Sequence, residues 1–139
     1  MRFRVRKAAH VLERSGLALA GAACGLFVGA YVGSSIPQLT TQGFLLAMML
    51  VGAAGYYIGI DTPQLAFDDD PEGTRTDTAE FLSAVGTFLA TLTSFVSVGV
   101  IVLRETPHLA WTYLVLIGWV GGVTMQILGG AKARMRKQA

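Results

Sequence analysis

Polar and apolar positions in this chain do not alternate; they separate into blocks. Residues 16–33, 43–60, 81–103 and 109–128 contain no Asp, Glu, Lys or Arg. A hydrocarbon core about 30 Å thick is crossed by about 20 helical residues, so each block is long enough to span it. The pattern predicts an all-α integral membrane protein, a four-transmembrane-helix bundle forming a single domain over residues 1–139. Residues 61–80 form a charged loop between the second and third spans.

The connections carry local signals that agree with this division. Residues 5–13 hold no helix breaker and are expected to continue the first helix beyond its span. Gly33-Ser34-Ser35-Ile36-Pro37 ends it, and the short turn that follows makes spans one and two antiparallel neighbours. Span two should stop at Asp61-Thr62-Pro63. Asp77 and Glu80 have the spacing of a capping box for span three. Thr106-Pro107 reads as an N-cap followed by a proline at the first helical position of span four. Tyr31, Phe44, Trp111 and Tyr113 group at one predicted interface and Tyr56, Tyr57 and Phe81 at the other, as aromatic belts would.

Charge sets the expected orientation. Of eleven basic residues, Arg2, Arg4, Arg6, Lys7 and Arg14 precede the first span, and Lys132, Arg134, Arg136 and Lys137 follow the last. Arg75 is in the central loop, and Arg104 alone falls on the other side of a four-span chain. The positive-inside rule then makes both termini cytoplasmic. Eight Arg against three Lys, with abundant Ala and Gly, give the expectation of a bacterial inner membrane. Seven of nine acids lie between Asp61 and Glu80. The Asp68, Asp69, Asp70 and Glu72 cluster is a candidate contact for a cytoplasmic basic partner or a loosely held cation. Its EF-hand resemblance is weak, because position 12 of the pattern is Ala79.

The clearest motif is Gly21, Gly25, Gly29 and Gly33, four glycines on one face of the first helix. Gly55 and Gly59 repeat the spacing in span two; Gly86, Ala90 and Ser94 in span three; Gly118 and Gly122 in span four. Small residues let helices in lipid approach closely, where packing rather than the hydrophobic effect drives association. The strip of span one suits either packing inside the chain or contact with another subunit, and the second is the expectation. Val28, off the strip, is expected to be indifferent to substitution. Residues 29–39 and 55–65 share six of eleven identities, compatible with an inverted duplication.

The candidate chemistry is sparse. Ser83, Thr87, Thr91 and Ser94 share one face of span three and would line a narrow polar path. No ionisable residue lies within a span, which argues against proton-coupled transport and intramembrane catalysis. Cys24 is single and mid-span, and its environment suits packing; its lipobox-like surroundings lack the usual leucine three residues before it. His10 and His108 have no ligand-spaced partners. No cofactor, metal site, nucleic-acid partner or enzymatic activity is expected. The expectation is a structural or assembly subunit in contact with lipid, its own copies or other membrane subunits. The alternative is a channel or uncoupled transporter lined by span three.

Overall fold

The computed structural model describes residues 2–59 and 78–138, with side chains from residue 8 to residue 135 apart from residue 9. It consists of α1 (Arg2–Ser35), a 3-10 turn η1 (Pro37–Leu39), α2 (Gln42–Gly59), α3 (Thr78–Leu103) and α4 (Leu109–Gln138). All four helices are long and apolar enough to cross a membrane. At 34 residues, α1 is about 51 Å long, well beyond the hydrocarbon thickness, and it carries the basic N-terminal segment as continuous helix. The third helix begins at Thr78, the residue after the expected N-cap position 77 and three residues ahead of the expected span. The acidic cluster Asp68, Asp69, Asp70 and Glu72, the capping residue Asp77 and the second copy of the short repeat beyond Gly59 lie outside the described residues.

The bundle consists of two antiparallel hairpins, α1 with α2 and α3 with α4. They join along α2–α4 and α1–α3, whereas the backbones of α2 and α3 come close at few points and are linked there by side chains. Only 28% to 39% of the most apolar window of each helix is buried, so most of each helix faces outward. Leu50, Phe88, Phe95 and Ile117 are among the large exposed apolar side chains. Such a surface is stable only against hydrocarbon or another apolar partner, and it marks an integral membrane protein.

The turns are held locally. Thr40 Oγ1 donates to the Gly33 carbonyl at 2.7 Å, and Thr41 Oγ1 accepts from the Phe44 N–H at 3.2 Å, so Thr41 caps α2. The Arg104 N–H reaches the Ile101 carbonyl at 3.2 Å and the Glu105 N–H the Val100 carbonyl at 3.1 Å. That pair of bonds is a Schellman closure of α3, with Arg104 at φ 53 in the left-handed position usually held by glycine. The expected Thr106-Pro107 cap is displaced by two residues. His108 Nδ1 accepts from the Ala110 N–H at 3.3 Å, and α4 begins at Leu109. The Schellman turn sets this offset, since it still occupies residues 104 and 105.

The glycine strip of α1 turns inward, against α2 of the same chain. A Cβ at Gly21 would fall on the Gly52 carbonyl oxygen, and one at Gly25 on that of Met48. At Gly29 the nearest neighbours are side-chain atoms of Leu45 and Met48, and at Gly33 the Leu39 carbonyl oxygen at 3.2 Å. This corrects the expectation that the strip meets another subunit: α2 already covers it. The two backbones touch only because no side chain separates them. Val28 is fully buried, one of the most enclosed side chains in the bundle, so it is not an indifferent position.

Candidate functional site

Span three's hydroxyl face was the sequence's best candidate for chemistry, and its members are placed against the other three helices. Ser83 donates to the Gly59 carbonyl at the end of α2. Thr87 Oγ1 donates to the Ser83 carbonyl at 2.8 Å and accepts from Gln126 Nε2 at 2.9 Å. Thr91 Oγ1 donates to the Thr87 carbonyl at 2.8 Å. Its one proton is thereby committed, so the 2.5 Å contact with Tyr56 is donated by the tyrosine. The Cys24 thiol, 3.5 Å from the Tyr56 oxygen, is then the donor to it. Ser94 Oγ reaches the Cys24 carbonyl at 3.5 Å. Ser83 and Ser94 are buried, Thr87 is half-buried and Thr91 remains exposed.

Gln126 organises the centre of this cluster and was not anticipated. It is completely buried. Its seat is made of glycine. A Cβ at Gly55 would lie 2.8 Å from Gln126 Oε1, one at Gly59 2.8 Å from Gln126 Cβ, and one at Gly86 2.7 Å from the Gln126 backbone nitrogen. Three glycines on two helices thus leave the volume that the amide fills. Thr87 Oγ1 has given its proton to Ser83, so the amide NH2 is the group that belongs beside it. Oε1 is left without a hydrogen-bond partner, as is the indole Nε1 of the buried Trp119. One signal was legible in advance: Gly118, Gly122, Gln126 and Gly130 fall at four-residue intervals. A polar side chain on a small-residue stripe points where that stripe points.

The other packing residues divide between two seams. Gly122 meets the Gly86 carbonyl oxygen and the Ala90 nitrogen, each at 2.8 Å from a Cβ built there, and Gly118 meets Thr93 Cγ2 at 2.9 Å. Gly52, Gly129 and Gly130, outside the glycine pairs expected to pack, make backbone approaches to Gly21, Ala79 and Ile58. Two of the expected belt aromatics are core residues instead. Tyr31 is 2% exposed and accepts from Thr112 Oγ1 at 3.2 Å, and Tyr56 is 6% exposed. Each hydroxyl has found a partner within the bundle, which lets the ring turn inward. Trp111, Tyr113, Tyr57 and Phe81 are exposed, and the Arg14 guanidinium lies 5.5 Å from the centre of the Tyr57 ring.

Among the described residues no three His, Cys, Asp or Glu side chains come together as a metal cluster. The chain matches no protein-family model, no curated protein and no solved structure. What the site does chemically is read from its own geometry: Ser83 and Ser94 donate to carbonyls of α2 and α1, while Thr87 and Thr91 donate within α3 and accept from Gln126 of α4 and Tyr56 of α2, which ties α3 to the other three helices.

Proposed function

We propose that this protein is a non-enzymatic structural subunit of a bacterial inner membrane, with both termini cytoplasmic, that acts by associating with further copies of itself. The observation that carries this reading is the seating of Gln126 and the α3 hydroxyls on one another and on glycine backbone. Apart from the exposed Thr91, polar groups engaged in this way hold helices together and are not displayed to a passing solute. The interior therefore acts as a scaffold, which supports the structural reading over a channel lined by α3.

Association uses what the scaffold leaves outside. Phe81, Phe88, Phe95 and Val102 recur every seven residues on α3, each more than half exposed. A seven-residue apolar repeat is the spacing at which one helix packs along another at a shallow left-handed crossing. The test is cysteine cross-linking in a Cys24→Ala background. Phe88→Cys and Phe95→Cys should yield a cross-linked dimer in native membranes, and Leu50→Cys on the exposed side of α2 should not. Monomeric mass after gentle solubilisation, with no cross-link at either α3 position, would refute the reading. Orientation is checked in the same background: an impermeant external reagent should label Gln38→Cys and leave Gly73→Cys untouched.

A further inference from the structure

The ends of the bundle differ, and the end at the α3–α4 turn is open. A cavity of about 740 Å³ lies between the last turns of α1 and α3 and the start of α4, with Tyr31, Ser34, Arg104, Glu105 and Thr112 among its lining. A second cavity of about 310 Å³ runs beneath the same turn, along Val96, Val100 and Val115, with Trp111 beside it. The two share Tyr31, Val100, Glu105, Thr106 and Pro107, so they meet around the turn. Together they form a polar mouth over an apolar crevice. Sites for small amphiphiles have this character, mostly apolar with a few placed polar groups.

The mouth is specific in its charge. Arg104 and Glu105 carry the only charges between residues 81 and 131. Both line the larger cavity, and Glu105 shares the lining of the smaller one with Trp111. Arg104 also holds a left-handed backbone conformation, φ 53, in a helix closure where glycine would be unstrained. Helix termination is thus better served by another residue, and what the arginine adds at that position is its guanidinium. A guanidinium binds phosphate oxygens through paired N–H donors, and a neighbouring carboxylate binds an ammonium group.

We propose that this end of the bundle is a binding site for one phospholipid with a zwitterionic ammonium–phosphate head group. Arg104 holds the phosphate, Glu105 holds the ammonium, and one acyl chain lies in the crevice along Val96, Val100 and Val115. Opposite charges one residue apart match a head group that carries both signs, and they do not match a purely anionic one.

The test titrates the delipidated full chain in detergent with phosphatidylethanolamine or phosphatidylglycerol, counting adducts by native mass spectrometry. The wild type should take up a single phosphatidylethanolamine, with affinity about tenfold above that for phosphatidylglycerol. Arg104→Gly should lose about tenfold in phosphatidylethanolamine affinity while its thermal midpoint holds or rises, since glycine suits the left-handed position. Glu105→Gln should bring the two lipids to equal affinity. Val96→Trp should fill the crevice and remove the adduct with both charges intact. Equal binding of the two lipids by the wild type, or undiminished affinity in Arg104→Gly, would overturn the proposal. So would a Val96→Trp variant that keeps the adduct, or one that loses a dimer rather than a lipid.

Discussion

The two ends of the bundle are closed by different means. From the middle of the bundle to the end that holds the chain termini, glycine meets backbone: Gly21 on Gly52, Gly25 on Met48, Gly129 on Ala79 and Gly130 on Ile58. Towards the turns, the same helices move apart. Gly29 and Gly33 meet side chains and the η1 turn at 3.1 to 3.2 Å, and Gly99 on α3 has nothing within 4 Å of where its Cβ would be. Space appears where the glycine contacts stop, and the larger cavity lies there. Close backbone approach in lipid is thus a local property of each helix pair, and a four-residue glycine stripe need not be equally tight along its whole length.

Breaking the tight end should have the largest effect. Gly25→Leu drives a branched side chain onto the Met48 carbonyl and should cost about 3 kcal/mol, the upper end of overpacking penalties, because backbone cannot step aside. Thermal unfolding in detergent would show it, with Gly121→Leu as the control, since nothing lies within 4 Å of that position. The strip faces α2, so oligomeric mass should stay the same. A fall in mass with an unchanged midpoint would mean that the strip meets a partner after all.

Gln126 separates shape from hydrogen bonding at the same end. Truncation by Gln126→Ala empties a fully enclosed seat and should cost about 2 kcal/mol. Gln126→Met keeps most of the volume, removes the partnerless Oε1 and should stay within about 1 kcal/mol of the wild type. Equal losses in the two variants would show that the amide, rather than its bulk, holds α4 to α3. Tyr56→Phe deletes the bond to Thr91 and should lower stability by about 0.6 kcal/mol, an average value for a hydrogen bond between membrane helices. A loss several times larger would mean that the Cys24–Tyr56–Thr91 chain acts as a unit, which a double-mutant cycle with Thr91→Val would reveal.

The smallest effect belongs to the open end and has the opposite sign. Arg104→Gly relieves a left-handed residue and should raise stability by about 0.5 kcal/mol in lipid-free detergent, after the greater chain entropy of glycine is subtracted. Added phosphatidylethanolamine should reverse the order of the two proteins. A destabilised variant under lipid-free conditions would mean that the arginine side chain supports the turn itself.

By itself, the sequence determined the number of helices, their antiparallel order and most of their limits, although α4 runs ten residues past the expected end of its span. Lipid imposes those features directly: a span needs its length of uncharged residues, and a short turn permits only an antiparallel neighbour. It also located most of the glycines and serines that matter. It left open which face of each helix meets which neighbour. In a soluble helix the polar side names the outside, but here Val28, fully buried, and Phe95, 76% exposed, are equally apolar. Hydropathy is silent when solvent and core are both hydrocarbon, so only the tertiary structure decided that the α1 strip meets α2 and that Gln126 rests on Gly55, Gly59 and Gly86. The tightness of one end and the openness of the other were decided in the same way, by which backbones come within reach of each other.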